Sequence, residues 1–420
     1  MIKKIAVSFC LLLSLVTFAQ ENTSSPYSFY GIGDIKFKGT VENRAMGGIN
    51  VFPDSTHVNL QNPASYSGLR LTNFTVGGTF NVTKFSSNTG NDKSQRTSID
   101  YLALGIPMGK FGAVIGMLPY AAVGYKIQNT TATGDRYRYG GSGGVNKVFM
   151  GLAYTINKNF NIGADFAYNF GSITTTGVVF RPGVQFGSSE LNDSDLRGAN
   201  VNIGLMYKGK VNEKISAFGG LVFSPEATLK SRNTRNIGMV VYSGEDSNIE
   251  IDPRSLIDPI NVPVGDTEIK LPSKLALSFG FGEVRKWLVG TEFALQQSGS
   301  STNRFKDITK ATYENAAKFS VGGYYIPKYD SFTSYFDRVT YRGGFRYENT
   351  GLIINNKSIN DMAVTLGFGL PVGGRFSSIN FGMEFGRRGT KAAGLIQEDY
   401  GNFSISLTLN DQWFIKRKID

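Results

Sequence analysis

A strict two-residue alternation, recurring from end to end of the chain, constrains its fold more than any other feature. Phe403, Ile405, Leu407 and Leu409 alternate with Ser404, Ser406 and Thr408. Phe160, Ile162, Ala164, Phe166, Tyr168 and Phe170 alternate with Asn161, Gly163, Asp165, Ala167, Asn169 and Gly171. Ile379, Phe381, Met383 and Phe385 alternate with Asn380, Gly382, Glu384 and Gly386, and Tyr341, Gly343, Phe345 and Tyr347 with Arg342, Gly344 and Arg346. Successive side chains of a strand point to opposite faces, so each run is a strand with one oily and one polar side. Long runs with helical period are absent.

A soluble sandwich also alternates, so the connections decide the class. Strands are expected near 73–84, 97–107, 111–127, 145–156, 160–173, 199–209, 214–224, 274–283, 286–297, 317–326, 338–349, 360–371, 376–388 and 400–409. Tight turns (Met108-Gly109-Lys110, Asn157-Lys158-Asn159, Val211-Asn212-Glu213, Val284-Arg285, Val372-Gly373-Gly374) alternate with long polar links such as Ser86–Arg96, Gln128–Gly144, Thr174–Gly198 and Ser298–Ala316. An even strand number with loops sorted by parity is the signature of an all-β, transmembrane antiparallel β-barrel of about 14 strands, short turns facing the periplasm. Arg235–Tyr242 also reads as strand. It lies inside the long Ser224–Ser273 link, so an extra hairpin or lid outside the wall is expected there. Pro327–Asp337 is long for a periplasmic turn.

The polar faces carry many glycines together with Asp165, Glu292, Arg342, Arg346 and Glu384. An Arg or Lys on the lipid face costs about 2–4 kcal/mol near the midplane. These charges must therefore point into the lumen, where they need partners. Inward glycines leave room for a filler. Residues 20–72 lack amphipathic strands and are the expected N-terminal plug. Trp287, Tyr341 and Trp413 lie near strand ends, as the residues of an interfacial aromatic girdle do.

The N-terminus reads as a secretory signal over 1–19. Lys3 and Lys4 precede the apolar run Ile5–Val16, and Thr17-Phe18-Ala19 suits cleavage before Gln20. The run is shorter than the ~20 residues of a spanning helix. The sole cysteine, Cys10, lies inside that run, so disulfides, thiol catalysis and cysteine metal sites are not expected of the mature chain. His57 is the only histidine. A Ser-His-Asp triad would have to use it, and a multi-histidine metal site is excluded. Gly31-x-Gly33 and Gly140-Gly141-Ser142-Gly143-Gly144 lack the lysine and helix of a phosphate loop, and read as flexible loops. Asp193-x-Asp195 and Glu245-Asp246 read as solvated loop acids in preference to a calcium site. No catalytic residue and no cofactor is expected. The formal charge of +11 is scattered without the aromatic-basic motifs of an RNA binder. Membrane lipid, not nucleic acid, is the expected partner.

Three N-terminal blocks add a resemblance. Ser25-Pro26-Tyr27-Ser28-x-Tyr30-Gly31-Ile32-Gly33-Asp34, Asn43-Arg44-Ala45-Met46-Gly47-Gly48 and Asn62-Pro63-Ala64-Ser65-Tyr66 resemble the N-terminal region of FadL-like outer-membrane transport proteins. The likeness is narrowest to the branch found in bacteria with type IX secretion. Leu271-Pro272-Ser273 and the end Leu409–Lys418 resemble the same branch. The resemblance implies a fourteen-strand barrel over 73–409 with an N-terminal hatch over 20–72. Asn43, Arg44, Gly47, Gly48, Asn62, Pro63 and Ala64 would lie in that hatch. It implies passive uptake of small hydrophobic, fatty-acid-like compounds with lateral release into the bilayer. The alternative is a non-transporting subunit that partners a secretion translocon or binds exported cargo, through the 224–273 loop and a periplasmic tail over 410–420.

Overall fold

The computed structural model describes residues 23–241, 256–305, 311–372 and 377–412. The expected signal segment, Glu245-Asp246 and Trp413 with the rest of the tail lie outside these residues. Among the described residues, nineteen strands form one sheet. In chain order they are β1 (Asp34–Ile35), β2 (Thr72–Ser86), β3 (Asn91–Met108), β4 (Phe111–Thr130), β5 (Arg136–Thr155), β6 (Phe160–Phe180), β7 (Phe186–Lys210), β8 (Ile215–Ser224), β9 (Ala227–Val241), β10 (Ile257–Val262), β11 (Thr267–Leu271), β12 (Lys274–Glu283), β13 (Trp287–Gln296), β14 (Ala311–Tyr313), β15 (Ala316–Tyr325), β16 (Thr340–Ile354), β17 (Lys357–Val372), β18 (Ser377–Arg388) and β19 (Gln397–Asp411). Fourteen of them, β2–β8, β12, β13 and β15–β19, make an antiparallel wall. The ladder from Gln397↔Ser86 to Asp411↔Thr72 closes it by joining the last strand to the first.

The wall is inside out relative to a soluble sheet. On β19, Ser404, Ser406 and Thr408 are 9%, 1% and 1% exposed, whereas Phe403 and Ile405 are 44% and 51% exposed. The same inversion holds on β12, where Leu277, Phe279 and Phe281 are exposed and Ala276 is buried. Only a lipid solvent makes that arrangement favourable, since exposed apolar area in water forfeits about 25 cal/mol per Å².

The polar links differ from expectation. Ser86–Arg96, Gln128–Gly144 and Thr174–Gly198 are mostly strand, and the turns shrink to residues 87–90, 131–135 and 181–185. Their oily alternation fades because they rise above the membrane, while the backbone ladder runs on. The Gly140–Gly144 stretch is likewise not a loop. It sits in β5 at a bulge where Gly143 (φ +104°) and Gly144 (φ +157°) take backbone conformations that side chains disfavour. Asp193 and Asp195 lie on β7, bonded to Thr174 and Arg197.

Of the expected lid over Arg235–Tyr242, the described part, up to Val241, is a continuation of the wall. β9 pairs with the upper part of β7, and β10 and β11 pair with β9. Pro225 and Pro272 mark the breaks between β8 and β9 and between β11 and β12, where a missing N–H interrupts the ladder. The hairpin thus leaves the count at fourteen. At the C-terminus, β19 extends two residues past the expected end, to Asp411.

Candidate functional site

Residues 23–71 lie against the inward side of the wall. Three polar caps shape the segment. The Ser25 side chain accepts from Tyr27 N ahead of a 3-10 turn, Pro26–Phe29. Thr40 caps the single helical turn Val41–Arg44, and Asn62 caps the 3-10 turn Pro63–Gly68 with Oδ1 accepting from Ala64 N at 3.0 Å. Asn then Pro at a helix start satisfies one loose N–H and removes another, which is why Asn62-Pro63 begins a turn here. Asn43 accepts from Thr40 Oγ1 at 2.7 Å and donates to Ile49 O at 2.7 Å, folding the chain back after the helical turn. Gly47 and Gly48 have φ of +71° and +82°. Gly47 N donates to Thr365 Oγ1 on β17.

Inward glycines of the wall meet this segment at almost every strand. A β-carbon at Gly163 would stand 2.5 Å from Pro63 O, at Gly105 2.7 Å from Leu69, and at Gly280 2.6 Å from Phe52. Gly322 and Gly344 face the Met46–Gly47 backbone, and Gly204 faces Asn62. Asn62 and Ala64 are fully buried and Pro63 is buried.

The five expected lumen charges are all buried, and they do not form one cluster. Arg346 contacts Glu348 (3.0 Å), Asp361 (3.4 Å) and Glu384 (2.5 Å), and Lys38 of the N-terminal segment joins the group at Asp361 (2.8 Å). Glu292 pairs with Lys318 at 2.7 Å and accepts from Asn50 N at 3.1 Å. Arg342 donates to Asn380, which donates to Glu42. Asp165 accepts from Asn202. Arg44 meets Asp100 and Thr79 on the wall. Trp287 and Tyr341 face outward at the short-turn end of β13 and β16.

Two seams of the wall are short: β7–β8 has eight pairs before β7 resumes pairing on β9, and the β3–β4 ladder, the shortest, does not resume among the described residues. The β3–β4 ladder runs only from Met108↔Phe111 to Leu102↔Met117. That is seven pairs, fewer than the ~9–11 residues a strand needs to cross the bilayer. The ladder therefore stops within the apolar zone. Above it, β1 pairs Asp34↔Ala122 and Ile35↔Ala121, and Lys36 N donates to Tyr120 O at 3.0 Å. The N-terminal segment thus occupies the edge of β4. A bulge opposite Gly77 turns both Asp100 and Tyr101 inward. The Tyr101 ring packs edge-on to Phe37 (6.4 Å), and its hydroxyl accepts from Val41 N. Sequence reasoning missed this seam. Its signal was the slip of apolar phase between Ile99 and Leu102.

A cavity of about 350 Å³ lies beside the seam. Phe37, Leu118, Tyr120 and Phe149 form its apolar side. Lys147 and Lys274 also line it. The Lys147 ammonium sits 4.1 Å from the centre of the Tyr120 ring, and neither lysine is ion-paired among the described residues.

His57 is held more tightly than a loop histidine. Nδ1 meets Asp54 Oδ2 and Nε2 meets Ser378 Oγ on β18, both at 2.9 Å. The order matches a hydrolytic triad, but Ser378 Oγ already accepts from Asn380 Nδ2, and the cavity beside the seam does not reach it. The contact anchors the segment to the wall. Burial alone would lower the imidazole pKa, but the Asp54 carboxylate outweighs it and the net shift is upward from 6.5. Protonated His57 therefore stabilises the anchored state fully below 6.5, and this contribution is lost as pH rises through the raised value. Protease protection of residues 23–71 is expected to weaken above neutral pH in the wild type, and His57→Gln is expected to flatten that profile. An unchanged profile in the variant would exclude His57 as the titrating group.

The BamG family model matches residues 1–420. The chain belongs to the BamG family. No curated protein matches the sequence. Among solved structures, this BamG-family barrel is similar to the toluene transporter TodX of Pseudomonas putida, at 14% identity and TM-score 0.60, covering 90% of this chain and 100% of that one. It is similar to a FadL homologue of Pseudomonas aeruginosa, at 13% identity and TM-score 0.57, covering 90% and 100%. It is also similar to the monoaromatic hydrocarbon channel CymD, at 14% identity and TM-score 0.56, covering 89% and 98%. The fold of the BamG-family chain is therefore FadL-like.

Proposed function

We propose that this BamG-family protein is an outer-membrane channel for small hydrophobic compounds, with residues 20–72 acting as its hatch and the β3–β4 seam as its lateral exit. The observation that carries the reading is the seam. A ladder that ends at membrane depth leaves a strand edge which lipid cannot satisfy, and β1 covers it from the lumen side. The apolar residues Phe37, Leu118 and Tyr120 run from the cavity to that edge. Lys147 and Lys274 add cations, so a fatty-acid-like compound, with an acid group and an apolar body, fits the cavity. TodX and CymD, a toluene transporter and a monoaromatic hydrocarbon channel by description, share the fold and lend support to a hydrophobic cargo.

Release requires β1 to leave β4, and no covalent chemistry is involved. A disulfide between Ile35→Cys and Ala121→Cys, which are register partners, is expected to lock the exit. Transfer of a fluorescent fatty acid into proteoliposome bilayers should stop on oxidation and return on reduction. Transfer that continues at the wild-type rate through the locked protein would exclude this exit. The alternative, a secretion-translocon partner tied to the type IX branch, places its contacts on 224–273 and 410–420. The described part of the first is largely wall extension and most of the second lies outside the described residues, so no observation favours it.

A further inference from the structure

The other described short-side connections span two to four residues, but the one between β15 and β16 runs from Ile326 to Val339. Ile326, Ser331 and Val339 are buried and pin it to the wall. Its aromatic side chains are turned outward. Phe332 is 102% exposed and Phe336 72%, and Tyr329 and Tyr335 are also exposed. Such residues in an aqueous loop would be an unexplained apolar patch.

The loop's position resolves this. Tyr341 belongs to the outward face of β16, and its hydroxyl donates to Phe336 O at 3.4 Å. Tyr335 donates to Pro371 O at the end of β17. Arg285, in the β12–β13 turn, stacks over Tyr329 at 4.8 Å, and Arg338 over Tyr335 at 5.4 Å. The loop therefore spreads along the outer rim of the barrel, directly below the lipid-facing Trp287, Tyr325 and Tyr341. The aromatic belt continues into it without a break. The acids nearby are partly engaged: Glu283 pairs with Lys286, and Asp337 accepts from Ser331 Oγ. Arg285, Lys328 and Arg338 are exposed, with Asp330 the exposed acid among them.

We propose that residues 327–338 form a lipid-surface anchor, with Phe332 and Phe336 inserted at the boundary between headgroups and upper acyl chains of the periplasmic leaflet and Arg285, Lys328 and Arg338 meeting phospholipid phosphates. Arg stacked on Tyr suits this depth, with an apolar body below a charged tip. A protein partner is the less supported occupant, because the aromatics prolong a surface already lipid-facing and border no groove or open strand edge.

Spin labels test the anchor in the full-length chain carrying Cys10→Ser. Phe332→Cys, Phe336→Cys and a neighbouring control, Thr333→Cys, are labelled separately and reconstituted in phosphatidylethanolamine/phosphatidylglycerol liposomes. Heat-shifted gel migration verifies that each is folded. Labels at 332 and 336 are expected to collide more with oxygen than with a water-soluble nickel chelate, and the label at 333 the reverse. Equal nickel access at all three sites overturns the proposal. So does loss of a stoichiometric co-purifying protein from a Phe332→Glu/Phe336→Glu variant when the labels in protein-free liposomes stay water-exposed.

Discussion

Replacing Arg346 by methionine is expected to destabilise the folded barrel by about 3–5 kcal/mol, the cost of removing one partner from a buried ionic group. Arg346 is 3% exposed and touches three carboxylates, those of Glu348, Asp361 and Glu384. Tyr400 closes the group by accepting from Arg346 and donating to Asp361 at 2.6 Å. Without the guanidinium, Lys38 is the one cation left in direct contact with these acids among the described residues, and it reaches Asp361 and Glu348 but not Glu384. The stranded Glu384 charge is what makes the single change severe. The double variant Arg346→Met, Glu384→Met should recover much of the loss, since well-packed apolar side chains can replace a buried pair at little cost. The urea midpoint of the heat-modifiable band measures both. Equal loss in the single and double variants would mean that the network is not the cause, because coupled neighbours cannot behave additively.

The wall was legible because lipid imposes one rule on every strand. A residue's face follows from period two alone, so Asp165, Glu292, Arg342, Arg346 and Glu384 could be set on the polar faces, which the structure buries, before any coordinate. The strand ends above the membrane were not legible. There both faces of a hairpin are wet, and residues such as Thr174–Thr176 carry no oily stripe although their ladder to β7 continues. The Gly140–Gly144 run misled for a related reason. Glycine marks loops and bulges alike, and only the pairing on both sides tells them apart. In the site, Asn62-Pro63 could be read as a cap, but its partner surface could not, because contacts such as Gly204 against Asn62 join residues far apart in sequence. The seam was written as a phase slip at Asp100-Tyr101, a single extra residue that is easily absorbed into ordinary alternation. Lys38, Lys147 and Lys274 carried no signal at all. Lysine on a polar face is unremarkable until the fold shows which of them a carboxylate meets.

Gly163→Val is expected to expel part of the N-terminal segment while leaving the barrel intact. A β-carbon there would stand 2.5 Å from Pro63 O and 2.7 Å from Ala64 N. Both are backbone atoms, so no side chain can swing aside. β6 cannot yield either, because its ladders to β5 and β7 fix Gly163 opposite Ala153 and Gly204. The segment is the weaker partner, held here by the packing of Tyr66, Leu60, Val58 and Leu69. Overpacking costs about 1–3 kcal/mol when neighbours can adjust. Here adjustment means lifting the Asn62–Gly68 turn, which would expose side chains each worth about 1.5–3 kcal/mol when buried. Ala164→Val places the same side chain one residue on, on the exposed lipid-facing side, and should change nothing. Two readouts follow. Limited proteolysis of folded protein should cut within residues 50–70 in Gly163→Val alone. Planar-bilayer conductance should rise in the same variant, because the lumen below the cavity is then no longer filled. A Gly163→Val protein that is protected and non-conducting like the wild type would mean that the wall, not the segment, moves. The hatch assignment would then lose its mechanical basis, since a segment stiffer than the barrel around it cannot act as the part that opens.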